Sequence, residues 1–166
     1  NNLKNLGLAL HNYHQFHGTF PPGAVRSSRP EDESAYSWHV MLLPYLDKKV
    51  LYEKLSPNQQ YSLCEALQQE ELQRIAKSTN EDFVCPVDTS LDEENPSRLM
   101  DPGGLDFSAA RANYVASTGV TRTAGQGVFF LHSRIRFRDI KDGSSNVFLL
   151  GERTSGDAAN TGRHGA

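Results

Sequence analysis

The sequence has little of what most catalytic or membrane-spanning chains need. Of its 166 residues two are cysteine, Cys64 and Cys85, and one is tryptophan, Trp38. Two thiols are too few for an all-cysteine metal cage and allow at most one intramolecular disulfide, a Cys64–Cys85 bridge. No apolar run approaches the roughly 18 residues needed to cross a bilayer. Seventeen Lys and Arg stand against twenty Asp and Glu, a formal charge of -3. That balance gives no global electrostatic case for nucleic acid or for an anionic membrane surface. Gly-x-Ser-x-Gly, a Gly-rich phosphate loop and His-Glu-x-x-His are all missing, so no compact string organises hydrolytic, phosphoryl or zinc chemistry. The expectation is a non-enzymatic protein with no catalytic residues, no cofactor and no metal site. With 37% hydrophobic, 9% aromatic and 22% charged residues, what is present suits one globular domain over 1–166.

Leu3, Leu6, Leu10, Tyr13 and His17 recur at three- and four-residue steps, with Leu8 and Phe16 widening the stripe, which predicts an amphipathic helix over residues 1–17. Gly18 ends it, and Pro21-Pro22-Gly23 makes a corner that no helix can cross. Residues 24–36 read as an exposed loop. A second helical stretch begins near Ser37, with Trp38, Met41, Leu42 and Tyr45 on one face, and Pro44 divides it from a turn through Leu51, Tyr52 and Leu55. A third runs from about Leu63 to Lys77. Phe83-Val84-Cys85 reads as a short extended run, and residues 88–108 as a long surface loop. Strands are expected at 113–118, 127–131 and 147–150, and the tail after Glu152 shows no core pattern. Helices first and strands later predict an α+β fold, the long first helix packed on an antiparallel sheet with further short helices and long loops.

Three places invite a chemical reading. His11, His14 and His17 lie three apart on the first helix, where two imidazoles can approach, but two ligands do not make a site. His39 and His132 are isolated. Asp139, Asp142, Ser144 and Asn146 gather oxygens suited to a hard cation such as calcium, the one cation this chemistry brings to mind. The spacing lacks an acidic residue at the far end of a calcium loop, and turn chemistry around Asp142-Gly143 explains the cluster more simply. Arg134, Arg136 and Arg138 alternate with Ile135 and Phe137, which predicts a half-buried segment with a wet basic face.

Taken together, several strings resemble a bacterial family of secreted proteins with a prepilin-type cleavage and methylation signal, also catalogued as a solute-binding-like domain of unknown function. They are Asn1-Asn2-Leu3-Lys4-Asn5-Leu6-Gly7-Leu8 through His14, Gly18-Thr19-Phe20-Pro21-Pro22-Gly23, Ser37-Trp38 through Leu46, and Phe83-Val84-Cys85-Pro86-Val87-Asp88. Asn113-Tyr114 with Gly119, and Asp139 through Asn146 with Gly151-Glu152, complete the order. The resemblance implies a basic leader and an apolar helix directly before Asn1, with residues 1–17 as the second half of a pilin-like stem helix, 18–152 as the head and 153–166 as a loop or truncated tail. It departs from the family at Arg163-His164-Gly165-Ala166, which lacks the proline of a His-Pro-Gly-Gly segment. The implied protein is extracytoplasmic, in the periplasm or at the cell surface, and membrane-anchored through the missing N-terminal helix. Its partners would be other pilin-like subunits or secretion components, not nucleic acid. In that reading Leu3, Leu6, Leu10 and Tyr13 form the interaction strip. The alternative is an extracytoplasmic module that captures a carbohydrate or other solute, with Trp38 or exposed tyrosines as stacking platforms. Trp38 shares a helical face with Met41 and Leu42, so a core position suits it better.

Overall fold

The computed structural model describes residues 1–26, 34–55, 63–78, 80–88, 97–100, 106–119 and 127–154. Helix α1 (Asn2–His17) stops at Gly18, whose φ of 74° is the left-handed cap that glycine adopts without steric cost, and the Gly18 amide donates to His14 O. The chain then turns at the two prolines. There Gly23 passes so close to the neighbouring chain that a Cβ would lie 2.8 Å from the Phe129 carbonyl carbon. Its amide donates to Phe130 O and its carbonyl accepts from the Trp38 amide, so three distant segments meet at one backbone.

Beyond the corner, β1 (Ala24–Arg26) pairs antiparallel with β2 (Ala35–Ser37), with Val25 opposite Tyr36. The expected loop is therefore a hairpin at its described ends. Tyr36 is buried and its hydroxyl donates to Leu55 O, which accounts for a strand that its polar, charged sequence surroundings conceal. Helix α2 (Trp38–Leu42) runs into a 3-10 turn at Leu43–Leu46, in which Pro44 occupies the first positions, where its missing amide costs nothing. Helix α3 (Lys49–Leu55) follows. The third predicted helix is two: α4 (Leu63–Ala66) and α5 (Glu70–Lys77), and Glu70 pairs with Arg74 at 3.6 Å on the exposed face of α5.

Phe83 closes a 3-10 turn, Glu81–Phe83, where an extended run was expected; Asn80 caps it by accepting the Asp82 amide. Across the expected long loop lies a second antiparallel pair, β3 (Ser97–Met100) with β4 (Asp106–Ala109). A third pair joins β5 (Tyr114–Ala116) to β6 (Leu150–Glu152). Residues 127–131 are not a ladder strand: Leu131 makes only a single parallel bridge to Ala24. The fold is α+β, and among the described residues its sheet is dispersed into three antiparallel pairs. Helix α1 packs on α2, on the 3-10 turns at 43–46 and 81–83, and on β6. No described helix is long and apolar enough to cross a membrane.

The core gathers between α1 and the segment around Phe129. Leu6, Leu10, Phe20, Leu42 and Phe129 are fully buried, and Phe20 meets Phe129 and Phe137 ring to ring. Asn113 and Ser133 are the buried polar residues among those described, and Asn113 is the more heavily bonded. It accepts the Cys85 amide at 2.7 Å and donates to Asp88 and to Arg153 O, so its amide is used on both sides and its burial carries no unpaired group.

Candidate functional site

His39 follows Ser37 and Trp38 at the start of α2, and its position forces it inward. Its ring stacks on Trp38 at 3.8 Å and meets Phe83 edge-on at 4.7 Å. Nε2 lies 3.2 Å from Tyr114 O and Nδ1 lies 3.3 Å from Ser37 Oγ. A carbonyl only accepts, so Nε2 carries the proton and Nδ1 accepts from the serine hydroxyl. Burial pushes the imidazole down to about 4, outweighing the Tyr114 bond that favours the charged form, and Arg153 adds repulsion. His39 is thus neutral at ordinary pH, with both nitrogens engaged, and serves as a wall rather than a proton carrier.

Two cavities share that wall. One, of about 480 Å³, is bounded by Trp38, Phe129 and Tyr114 together with Arg153. The other, of about 610 Å³, is bounded by Tyr36, Leu43, Leu55, Leu67 and Phe83. Both also touch His39 and the segment Ala109-Ala110-Arg111-Ala112. That segment explains the space: three alanines present methyl groups where leucines would fill the gap. Ala110 is fixed there by its amide, which donates to Ala76 O at 2.7 Å. Arg111 stands between the alanines, and its Nε is buried without a hydrogen bond. A buried cationic donor left unbonded is costly, and an anion is the natural group to relieve it.

The family model described as "Protein of unknown function (DUF1559)", under the name SBP_bac_10, matches residues 1–166. The chain belongs to that family. No curated protein and no solved structure matches it.

In this DUF1559 chain the four residues expected to form an interaction strip are separated by the fold. Leu6 and Leu10 are fully buried in the domain's own core, so a strip that includes them is corrected: they hold α1 to the rest of the domain. Tyr13 is half-buried against Tyr45 and His17, its hydroxyl pushed up to about 12 by burial and by the neighbouring Tyr52 and Tyr45. Leu3 is 40% exposed. The outward apolar positions of α1 are instead Leu8 and Phe16, at 61% and 79%.

No disulfide joins Cys64 to Cys85: Cys64 is half-buried on α4, whereas Cys85 is buried against the Tyr114 hydroxyl with its amide held by Asn113. His11 and His14 pack on Phe137, and His14 Nε2 accepts the Phe137 amide, so these helix histidines fasten a loop. His17 stacks on Tyr13 instead. His132 is exposed at a left-handed turn, with φ 56°. Around the expected calcium turn, Asp139 accepts the Arg136 amide and Asn146 donates to Asp142 O. Among the described residues no three metal-ligating side chains converge. Arg134, Arg136 and Arg138 are exposed and Ile135 and Phe137 half-buried, as their alternation predicts, but the segment pairs with no strand. Trp38 is buried with one face covered by His39, so it offers no open platform for a sugar ring. The residue that sequence reasoning missed is Arg111, whose only signal was a lone arginine set among alanines, whereas His39 was read as isolated and lies instead against Trp38, Phe83 and Tyr114.

Proposed function

We propose that this DUF1559 chain is the non-enzymatic, extracytoplasmic head of a membrane-anchored, pilin-like surface protein, acting in assembly or protein–protein interaction. The observation that carries the reading is α1 itself. Its inner face is committed to the head through Leu6, Ala9 and Leu10, while Leu8 on the opposite face, and Leu3 and Phe16 toward the two ends of the helix, stay exposed. A stem helix needs both: one face to hold the head and another to meet neighbouring subunits or secretion components. Family membership and the likeness of residues 1–14 to a prepilin-type stem support the same reading. The test is the reading frame upstream of Asn1. A basic leader, a processing glycine and about 20 apolar residues are the expected result. An ordinary cleaved signal peptide, or a cytoplasmic start, overturns it.

A second reading, capture of a solute, is favoured by the two cavities that meet at His39 and Arg111. Their size suits a small molecule, and their walls are mostly apolar with few polar groups, the usual composition of a ligand site. Carbohydrate is the weaker candidate because the Trp38 face is covered. The test is thermal: a ligand that binds only the folded state raises the melting temperature with its concentration. A panel of apolar solutes that leaves the melting temperature unchanged overturns this reading without touching the first.

A further inference from the structure

We infer that the cavity between Trp38, Phe129 and Arg111 takes an amphiphilic anion, an apolar body carrying one carboxylate or similar group, with Arg111 and Arg153 as its charge partners. The inference rests on the solute-capture reading and sharpens it to a ligand class.

Three observations carry it. The walls of this cavity are apolar apart from a few groups, chiefly Arg111, Arg153, His39 and Thr118. Among the described residues, the charged side chains that line it are both cations and none is acidic; His39 is neutral and uses both its nitrogens on Tyr114 and Ser37. The neighbouring cavity is different, because Glu81 accompanies Arg111 and Lys48 there, and Lys48 is already paired with Asp82 at 3.3 Å.

Chemistry then selects the ligand. A neutral apolar molecule would satisfy the walls and leave the Arg111 Nε buried and unbonded. A small inorganic anion would answer the arginine and leave the apolar walls wet. Only a molecule with both parts satisfies both, and a carboxylate matches the planar donor face of a guanidinium. Arg153 reinforces the sign. Its backbone is tied to Asn113, its amide donating to Asn113 O and its carbonyl accepting from the Asn113 side chain, which holds the residue at the cavity mouth.

Trp38 is the only tryptophan and lines this cavity, so its emission reports occupancy directly. The experiment titrates the purified 166-residue chain with decanoate and, in parallel, with decanol, following Trp38 fluorescence and melting temperature. Decanoate is expected to bind at least roughly tenfold more tightly than decanol, the usual worth of a charge-assisted contact. Arg111→Gln is expected to abolish that preference and leave decanol binding unchanged, and Arg153→Gln to weaken decanoate by a smaller factor. Equal binding of the two by the native chain overturns the anion assignment and leaves solute capture standing. No response to either overturns both. A preference that survives Arg111→Gln overturns the role of Arg111. Should that variant melt early, the decanoate-to-decanol ratio of the native chain decides alone.

Discussion

The two sides of Trp38 and His39 are built from the same apolar chemistry and end in opposite states. Toward α1 the space is closed by Leu6, Leu10, Phe20, Leu42 and Phe129, each fully buried, and ring meets ring at Phe20, Phe129 and Phe137. Toward α5 and β4 the wall is Ala109, Ala110 and Ala112, and cavities of about 480 and 610 Å³ remain. Hydrophobicity alone does not separate the two sides, because alanine and leucine are both apolar. Side-chain volume does, and with it the capacity to stabilise by dispersion contacts or to receive a guest.

The packed side should break first and hardest. Phe20→Ala removes a fully buried ring and is expected to cost about 3–5 kcal/mol of unfolding free energy, measured by urea denaturation. A loss below about 1 kcal/mol would mean that this side relaxes as freely as the hollow one, and the contrast would fail.

His39 sits on the boundary, and its titration tests whether the boundary is dry. Above pH about 6.5 the imidazole is neutral in both the folded and the unfolded chain. As pH falls from about 6.5 to about 4 the unfolded chain takes up a proton that the folded one refuses, so folding stability is lost across that window and levels off below it. The full effect is on the order of 3 kcal/mol. The difference between native and His39→Asn denaturation curves at pH 7 and pH 4.5 isolates it from carboxylates such as Glu71, which Lys54 holds below the usual range. An unchanged difference between the two pH values would mean that the folded imidazole takes up its proton as readily as the unfolded one.

Volume itself can be moved across the boundary. Ala9 on α1 is buried against the packed core, and Ala9→Leu is expected to destabilise by about 1–3 kcal/mol through overpacking. Ala110→Leu adds the same atoms beside both cavities and is expected to change stability by less than about 1 kcal/mol in either direction. Equal losses from the two variants, in parallel urea titrations, would show that the cavities are not available space.

Which of these features the sequence reveals follows from where the information is held. Helix α1 and its glycine stop were legible because periodicity and a backbone constraint are local. So was the core position of Trp38, since it shares a helical face with Met41 and Leu42. The antiparallel pairs of β1 with β2 and of β3 with β4 were not legible, because their pairing is decided between segments whose own residues read as loop. The strand expected at 147–150 begins three residues later, at Leu150–Glu152, where Gly151 pairs with Val115. The cavities were illegible for a deeper reason. They consist of what Ala109, Ala110 and Ala112 do not fill, and an absence of volume leaves no periodic mark. The α1 stripe misled in the opposite direction: Leu6 and Leu10 read as apolar surface for a partner, yet the domain's own core covers them.

That last point sets the smallest effect and the one most specific to α1. Leu8 is 61% exposed, and it is flanked one turn away by Lys4, His11 and Asn12, all exposed, so its side chain loses little on unfolding. Leu8→Ser is expected to shift the stability of the isolated chain by no more than about 0.5 kcal/mol, whereas Leu10→Ser on the opposite face should unfold much of the population. A melting curve of each variant separates the faces. Near-silence at Leu8 would leave that residue free of any duty to the fold, so under the proposed assembly function a loss of self-association in the same variant would belong to the interface alone. A large loss at Leu8 would instead assign it to the core and leave Phe16 and Leu3 as the outward apolar positions of α1.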